Sequence, residues 1–401
     1  MDRNDYKLFS PGKIGGLTTP NRLVRSATWD PSILHTRQMT QEVLDLYQKL
    51  ALGGVGLIIS GGLPVYRERL PEETASDPAF RCYADVRIEG LEKLAEVVHQ
   101  SAPECKIIAQ VETGYLEAGP SSIPSPFSAD PVRALDHDEI ERISACFVDA
   151  IADMQEAGFD GVQLHAAHGG LLSRFLSPFT NRRTDRYGGT DGNRARIIRE
   201  IVQNARKTVG DFPILIKMNC TDYLAGGVDR DNFPRLAQEI VAAGVDAIEL
   251  SGGMWECLLR PEDELGFRPV PAPESHTRIK KAAAQSYFLE YANSVDLPVP
   301  LILVGGNRDV ERLEAILQEG KVDFIALCRP LIREPDLPNR WRAGLGSQRA
   351  ECVSCNSCLY AMYVHPGLPE PGLVACICKN DKKQHQQAQK WLVSWVANAR
   401  I

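Results

Sequence analysis

The chain lacks any run of apolar residues long enough to span a bilayer, which would need about 20 in a row. Its opening string, MDRNDYKLFS, is polar and offers no signal-peptide core. These absences lead to the expectation of a cytoplasmic protein with no membrane partner. Positive charge is scarce as well: 45 Lys and Arg against 52 Asp and Glu leave a formal net charge of −7 over 401 residues. Without a basic stripe, nucleic acid is not expected as a partner. No Gly-x-Gly-x-x-Gly string is placed to serve a separate dinucleotide-binding module. Internal repeats and low-complexity segments are missing too.

Cysteine is present but unevenly placed. Five of the 11 (Cys352, Cys355, Cys358, Cys376 and Cys378) crowd the end of the chain. In a chain without a secretory signal, such clustering points to metal rather than disulfides. Cys352-Val-Ser-Cys355-Asn-Ser-Cys358 is C-x2-C-x2-C, a spacing that can hold three corners of a [4Fe–4S] cluster. Cys376 or Cys378 would supply the fourth after a Pro/Gly-rich insert, Val364–Gly372. The same set would serve zinc. Cys82, Cys105, Cys146, Cys220 and Cys257 read as scattered core thiols.

Ahead of that tail, apolar β-rich runs alternate with amphipathic stretches. The runs are Leu23–Thr28, Val55–Ser60, Lys106–Val111, Gly161–His165, Ile214–Met218, Ala247–Ser251, Leu301–Gly305 and Phe324–Cys328. The helical stretches are Gln41–Leu52, Asp85–Gln100, Asp138–Ala157, Arg194–Val209, Asp231–Ala243, Ala282–Ser294, Asp309–Glu319 and Asp336–Ala343. Eight such units argue for a TIM (β/α)8 barrel, an α/β fold, over residues 1–346. Glycines before strands (Gly53, Gly158, Gly244, Gly320) suit helix C-caps. A Cys-rich extension, 347–401, ends in a polar helix, Asp381–Ala399.

In such a barrel the site lies at the C-terminal ends of the strands. The fourth run, GVQLH, ends on His165, and His168 follows three residues later. Two neutral imidazoles at a barrel mouth can hold a carbonyl oxygen on which negative charge develops. The plainer alternative is a pair of packed strand-end histidines. Lys217 ends the fifth run, and Arg329, at the end of the eighth, is a guanidinium that calls for an anion.

Several strings resemble the old yellow enzyme family of flavin-dependent ene-reductases across about residues 6–345. They are Leu8-Phe-Ser-Pro, Asn21-Arg22-Leu-Val, Gly54-Val-Gly-Leu-Ile-Ile, His165-Ala-Ala-His168-Gly and the long string Phe175-Leu-Ser-Pro-Phe-Thr-Asn181-Arg-Arg-Thr-Asp185-Arg-Tyr-Gly-Gly. Asn193-Arg and Arg329-Pro-Leu-Ile-Arg-Glu-Pro complete the set. The resemblance implies a barrel carrying non-covalent FMN, with NAD(P)H as hydride donor. It implies that Ser26, Ala27 and Thr28 lie against the flavin and that Gly62 and Gln110 contact its ring system. Lys217 would sit near N1 and O2 of the ring, where the family more often has Arg. Gly305, Gly306, Cys328 and Arg329 would hold the phosphate.

Two positions depart from the family. Its usual proton-donating Tyr, two residues after the second His, is Gly170 here. Tyr115, Tyr223 or Glu112 could substitute. The strand-one position often held by Thr or Cys is Trp29, whose ring would reshape the pocket. The tail resembles the trimethylamine dehydrogenase and 2,4-dienoyl-CoA reductase branch, where the fourth Cys follows sooner and a nucleotide-binding module comes next.

The first functional expectation is NAD(P)H-driven reduction of an activated alkene, of the α,β-unsaturated carbonyl type. The alternative is an FMN/Fe–S dehydrogenase that oxidises an amine or similar donor and passes electrons to a separate partner protein. A sugar-phosphate-binding barrel is a third reading, which the His pair, Gln110 and Lys217 together disfavour. The resemblance also implies dimers or larger homo-oligomers.

Overall fold

Short runs of Leu, Ile and Val form a closed barrel of parallel strands. The computed structural model describes residues 3–30, 33, 38–65, 90–113, 118–126, 129–267, 272–277, 279, 281–363, 374–380 and 382–398. The barrel strands are β1 (Leu23–Arg25), β2 (Leu57–Ile59), β3 (Lys106–Glu112), β4 (Gly161–Ala166), β5 (Ile214–Thr221), β6 (Ala247–Gly252), β7 (Leu301–Leu303) and β8 (Phe324–Leu327). Each pairs in parallel with the next, and β8 returns to β1. A hairpin of Gly12–Ile14 and Leu17–Thr19 precedes β1.

The intervening helices are α1 (Gln41–Leu52), α2 (Leu91–Ser101), α3 (His137–Glu156), α4 (Arg196–Val209), α5 (Phe233–Ala242), α6 (Leu289–Ala292), α7 (Val310–Glu319) and α8 (Leu337–Arg342). Their apolar stripes cover the outer face of the barrel; on α4 these are Ile197, Ile198, Ile201, Val202 and Ala205, spaced at helical period. Asp136 caps α3 with a full capping box: its carboxylate accepts from Glu139 N at 2.8 Å, and Glu139 accepts from Asp136 N at 2.8 Å.

One expectation is corrected. The helix expected over Ala282–Ser294 is broken into a 3-10 turn, Ala282–Ala284, and the single turn of α6. Ser286 between them takes φ 54°, which turns Tyr287 so that its N–H donates to Gly305 O at 3.2 Å. Gly53 is the C-cap of α1, as expected; it stays right-handed at φ −70°, and the left-handed turn falls on Gly54 at φ 89°.

Past residue 346 the chain packs back on the barrel, beginning with Ala350 N donating to Arg308 O at 2.7 Å. The tail holds α9 (Ser357–Tyr363), α10 (Ile377–Asn380) and α11 (Lys382–Asn398), close to the expected terminal helix. The insert Val364–Gly372, Cys82, Tyr115 and residues 85–89 of the second expected helix lie outside the described residues. Among those described, no helix is long and apolar enough to cross a membrane.

Asp136→Ala removes the side-chain arm of the α3 box and leaves the backbone N–H arm to Glu139; it should lower unfolding stability by about 1 kcal/mol, read as a shift in the urea midpoint at unchanged slope.

Candidate active site

In a closed barrel every second strand residue faces the lumen. The lumen is apolar at its lower end, where Ile14 of the hairpin joins Leu57, Ile108, Leu215, Ala247 and Phe324 in one buried cluster. Two residues further along four strands the lining becomes polar: Gln110 on β3, Gln163 on β4, Lys217 on β5 and Glu249 on β6, with Ser26 just past β1. These groups satisfy one another. Lys217 Nζ lies 3.2 Å from Glu249 Oε1 and donates to Ser26 Oγ at 2.9 Å. Ser26 Oγ donates to Glu249 Oε1 at 2.6 Å. Gln163 Nε2 donates to Glu249 Oε2 at 2.8 Å, and Gln110 Nε2 to Gln163 Oε1 at 2.7 Å. Glu249 is fully buried, where a carboxyl needs such partners for both of its oxygens.

Two residues further again come Glu112, His165, Asn219 and Ser251, which ring the mouth. The rings of His165 and His168 meet edge to face, 5.1 Å apart. His168 is held in a left-handed backbone, φ 58°, by Asn219 Oδ1, which accepts from its N–H at 3.2 Å. Ser251 Oγ lies 2.6 Å from His168 Nε2. Asn219 is itself anchored, its Nδ2 donating to Asp222 Oδ1 and to Gly253 O. His165 Nδ1 is buried with no partner among the described residues, and its Nε2 lies 3.7 Å from Glu112 Oε2. Burial, with Lys217 below, holds both imidazoles well under their ordinary value, so both are neutral. Burial pushes the Glu112 carboxyl up to about 7.

A cleft runs from His168 and Lys217 past Ser26 and Ala27 to Gly305, Gly306, Arg308, Cys328 and Arg329. At its far end, among the described residues, the guanidiniums donate to neutral acceptors. Arg329 Nη1 donates to His276 O (2.8 Å) and Asn356 Oδ1 (2.5 Å); Arg308 donates to Ile279 O and Ser354 Oγ. Arg308 Nε is buried with no partner in the structure. Two arginines beside two glycine N–H groups fit a phosphate dianion. A flat ring reaching from there toward Lys217 and the histidines would have donors along its length, so these residues fit FMN.

Other expected residues lie outside the lining of this cleft. Thr28 Oγ1 lies 3.2 Å from Cys328 Sγ, behind the cleft wall. Gly62 makes room for an acid: a Cβ there would come within 2.0 Å of Glu112 Oε1. Two rings separate Tyr223 from the cleft. Its OH lies 3.2 Å from His276 Nε2, and His276 stacks on Tyr287, which lines the cleft. Trp29 is half-buried beyond β1. Of the tail cysteines, Cys355 and Cys378 converge with His385, their ligand atoms within 4.8 Å of one another. Cys352 and Cys358 are not part of that trio, and Cys376 accepts from Arg333 Nη1 at 3.7 Å.

Glu249, Gln163, Asn219, Ser251, Arg308 and His385 escaped the sequence reading. Glu249 and Gln163 do carry a signal, each a lone polar residue inside an apolar run and two places before the mouth. His385, in KKQHQQ, carries none.

The model of the NADH:flavin oxidoreductase / NADH oxidase family matches residues 7–348. The chain is 33% identical over 365 residues to an NADH oxidase of Thermoanaerobacter brockii, covering 87% of this chain and 52% of that protein. It therefore spans about half the length of that relative. A 4,4'-dithiodibutanoate disulfide reductase of Rhodococcus erythropolis is 29% identical over 385 residues, covering 89% of this chain and 93% of that one. Among solved structures, a 2-naphthoyl-CoA reductase complex shares the fold with TM-score 0.77 at 23% identity, over 95% of this chain and 58% of that one.

The buried groups give stability a pH dependence of mixed sign. Below pH 6.5 the unfolded chain protonates His165 and His168 while the folded one does not, so both subtract stability as pH falls. Glu112 acts oppositely: the folded state keeps its proton up to about 7 against 4.5 unfolded, so its contribution is lost as pH rises through that window. Replacing both histidines with Asn should flatten the loss of stability between pH 6.5 and 5 in denaturant titrations. An unchanged slope would show that the rings are not held neutral.

Proposed function

The chain belongs to the NADH:flavin oxidoreductase / NADH oxidase family, and on that footing we propose that it is an FMN-dependent enzyme using NAD(P)H to reduce an activated alkene. The observation that carries this reading is the neutral His165–His168 pair at the cleft mouth, with an unpartnered ring nitrogen and a carboxyl beside it. FMN, when bound, supplies the two-electron carrier between nicotinamide and substrate. The chain supplies everything else.

An α,β-unsaturated carbonyl compound gains a hydride at its β-carbon and a proton at its α-carbon. As the hydride arrives, charge moves to the carbonyl oxygen. Neutral imidazole N–H donors stabilise that charge without presenting a competing cation to the ground state. Asn219 and Ser251 keep His168 aimed, so the donors need no reorganisation. Lys217, shared between Ser26 and Glu249, donates from beneath. The proton for the α-carbon comes from Glu112. It lies beside His165, takes the place of the Tyr that Gly170 lacks, and its carboxyl is half protonated near neutral pH.

The opposite direction, oxidation of an amine-type donor, would need an outlet for electrons, which an iron–sulfur cluster held by the tail cysteines would supply. It predicts flavin that an amine bleaches and NAD(P)H does not.

Under anaerobic conditions NADH or NADPH should bleach the flavin bands, and 2-cyclohexenone should restore them. Flavin that neither nicotinamide reduces would overturn the reading. His165→Ala with His168→Ala should weaken binding of p-hydroxybenzaldehyde by about 100-fold. Glu112→Gln should leave bleaching intact but slow reoxidation by the enone about 100-fold. In the wild type that step should fall off above about pH 7, as the acid loses its proton, and Glu112→Gln should abolish this limb.

A further inference from the structure

Lys217 lies against a carboxylate to which the chemistry proposed above gives no task. β5 and β6 pair in register at Lys217 and Glu249, so the two side chains leave neighbouring strands on one face, about 4.8 Å apart at the backbone. Both are buried, and Lys217 Nζ lies 3.2 Å from Glu249 Oε1. Ser26 Oγ accepts from the ammonium and donates to that same oxygen, while Gln163 Nε2 donates to the other. Lys217 lines the cleft; Glu249 stands behind it and is not part of the lining.

The other cations of the cleft are held differently. Arg308 and Arg329 donate to neutral oxygens. Glu274, a second carboxyl in the cleft wall, feels both Lys217 and Arg329 but forms an ion pair with neither among the described residues. A carboxylate in contact is thus given to Lys217 and withheld from the arginines. The consequence is electrostatic. A hydride passed to an oxidised flavin carries two electrons and one proton, so the ring gains one negative charge. A net cation beside the ring favours that anion and holds the electrons back. An ion pair of zero net charge does so far less.

We infer that Glu249 sets the reducing power of the bound flavin by cancelling the charge of Lys217. The inference rests on the FMN reading above. Glu249 is a positioning residue: it acts through Lys217 and touches neither ring nor substrate. Its effect is to keep the flavin a weak oxidant and a strong reductant. That suits delivery of hydride to an alkene and disfavours withdrawal of hydride from an amine.

Glu249→Gln isolates the charge from the shape. The amide oxygen of the variant can still face Lys217 and Ser26. Gln163 and Gln110 can each turn end for end, so that Gln163 Oε1 accepts from the new amide and Gln110 Oε1 from Gln163. The packing of the layer is kept and one negative charge is lost.

The test uses the FMN-loaded full chain under anaerobic conditions. The two-electron midpoint potential is read by equilibration with a dye of known potential. Sulfite, which adds reversibly to the flavin ring and leaves it anionic, gives a second readout. Glu249→Gln should move the reduction equilibrium about 100-fold toward reduced flavin, a rise of about 60 mV for a two-electron couple, and tighten sulfite binding by a similar factor. Glu249→Asp keeps the charge and should stay within about threefold of wild type. Lys217→Gln leaves the buried carboxyl without its ammonium, so the carboxyl takes up a proton and the site stays neutral. Its shift should therefore be less than about tenfold. If Glu249→Gln does not fold, Lys217→Gln decides: a fall of about 100-fold in the reduction equilibrium would show that the lysine acts as a free cation, and overturns the inference. Bound flavin with an unshifted potential in Glu249→Gln also overturns it, and leaves the FMN reading standing. A role confined to packing would change FMN affinity and thermal stability without raising the potential. A wild type that takes up no FMN overturns the FMN reading and this inference with it.

Discussion

The Lys217–Glu249 pair in the barrel lumen is the interaction on which the rest of the site depends. Neither charge can remain buried alone, and each is completed by neutral partners: Ser26 bridges the two, and Gln163 holds the second carboxylate oxygen. Together with Gln110 they form a closed polar layer between an apolar floor and the mouth. The ammonium stays fixed below the histidines and helps to hold both rings neutral. The mouth therefore presents hydrogen-bond donors rather than cations. Because the pair is formally neutral, a ring lying over it meets directed N–H character more than net charge.

The cleft has opposite characters at its two ends. Near His168 it presents an imidazole aimed by Asn219 and Ser251 above the paired Lys217 and Glu249. Near Arg308 and Arg329 it is cationic, because both guanidiniums bond to neutral oxygens and retain their charge. Such polarity orients a long ligand with an anion at one end, before any detail of its other end matters. It also places the tail within reach of the site, since the residues that hold these arginines flank Cys355.

Much of the barrel was legible because parallel strands buried on both faces read as apolar runs, and because α1, α3 and α7 carry clear periodicity. His165, His168, Lys217 and Arg329 were legible as polar residues at the ends of those runs. The break at Ser286 was not, because a left-handed Ser leaves no mark in a helix-like string and is set by the contact of Tyr287 with Gly305. The apolar reading of the strands also hid the middle layer. Gln110 stands out through its likeness to a family position, while Gln163 and Glu249, its partners in space, show only as lone polar residues inside apolar runs. The tail was the least legible part. Cysteine spacing pointed to metal, but the meeting of Cys378 and His385 with Cys355 is set by how α10 and α11 dock, and spacing along the chain does not encode that.

The lumen layer also bears on how the barrel folds. Its five members come from β1, β3, β4, β5 and β6, so no contiguous half of the chain contains them all. A fragment ending after β4 would enclose Ser26, Gln110 and Gln163 with no carboxylate to receive them. A fragment beginning at β5 would hold the ion pair without its bridging hydroxyl or amide. Either half would have to leave polar groups unsatisfied or stay open to water. Closure of the ring and satisfaction of the layer are thus one event, which ties assembly of the active site to the cooperativity of the whole barrel rather than to any single βα unit.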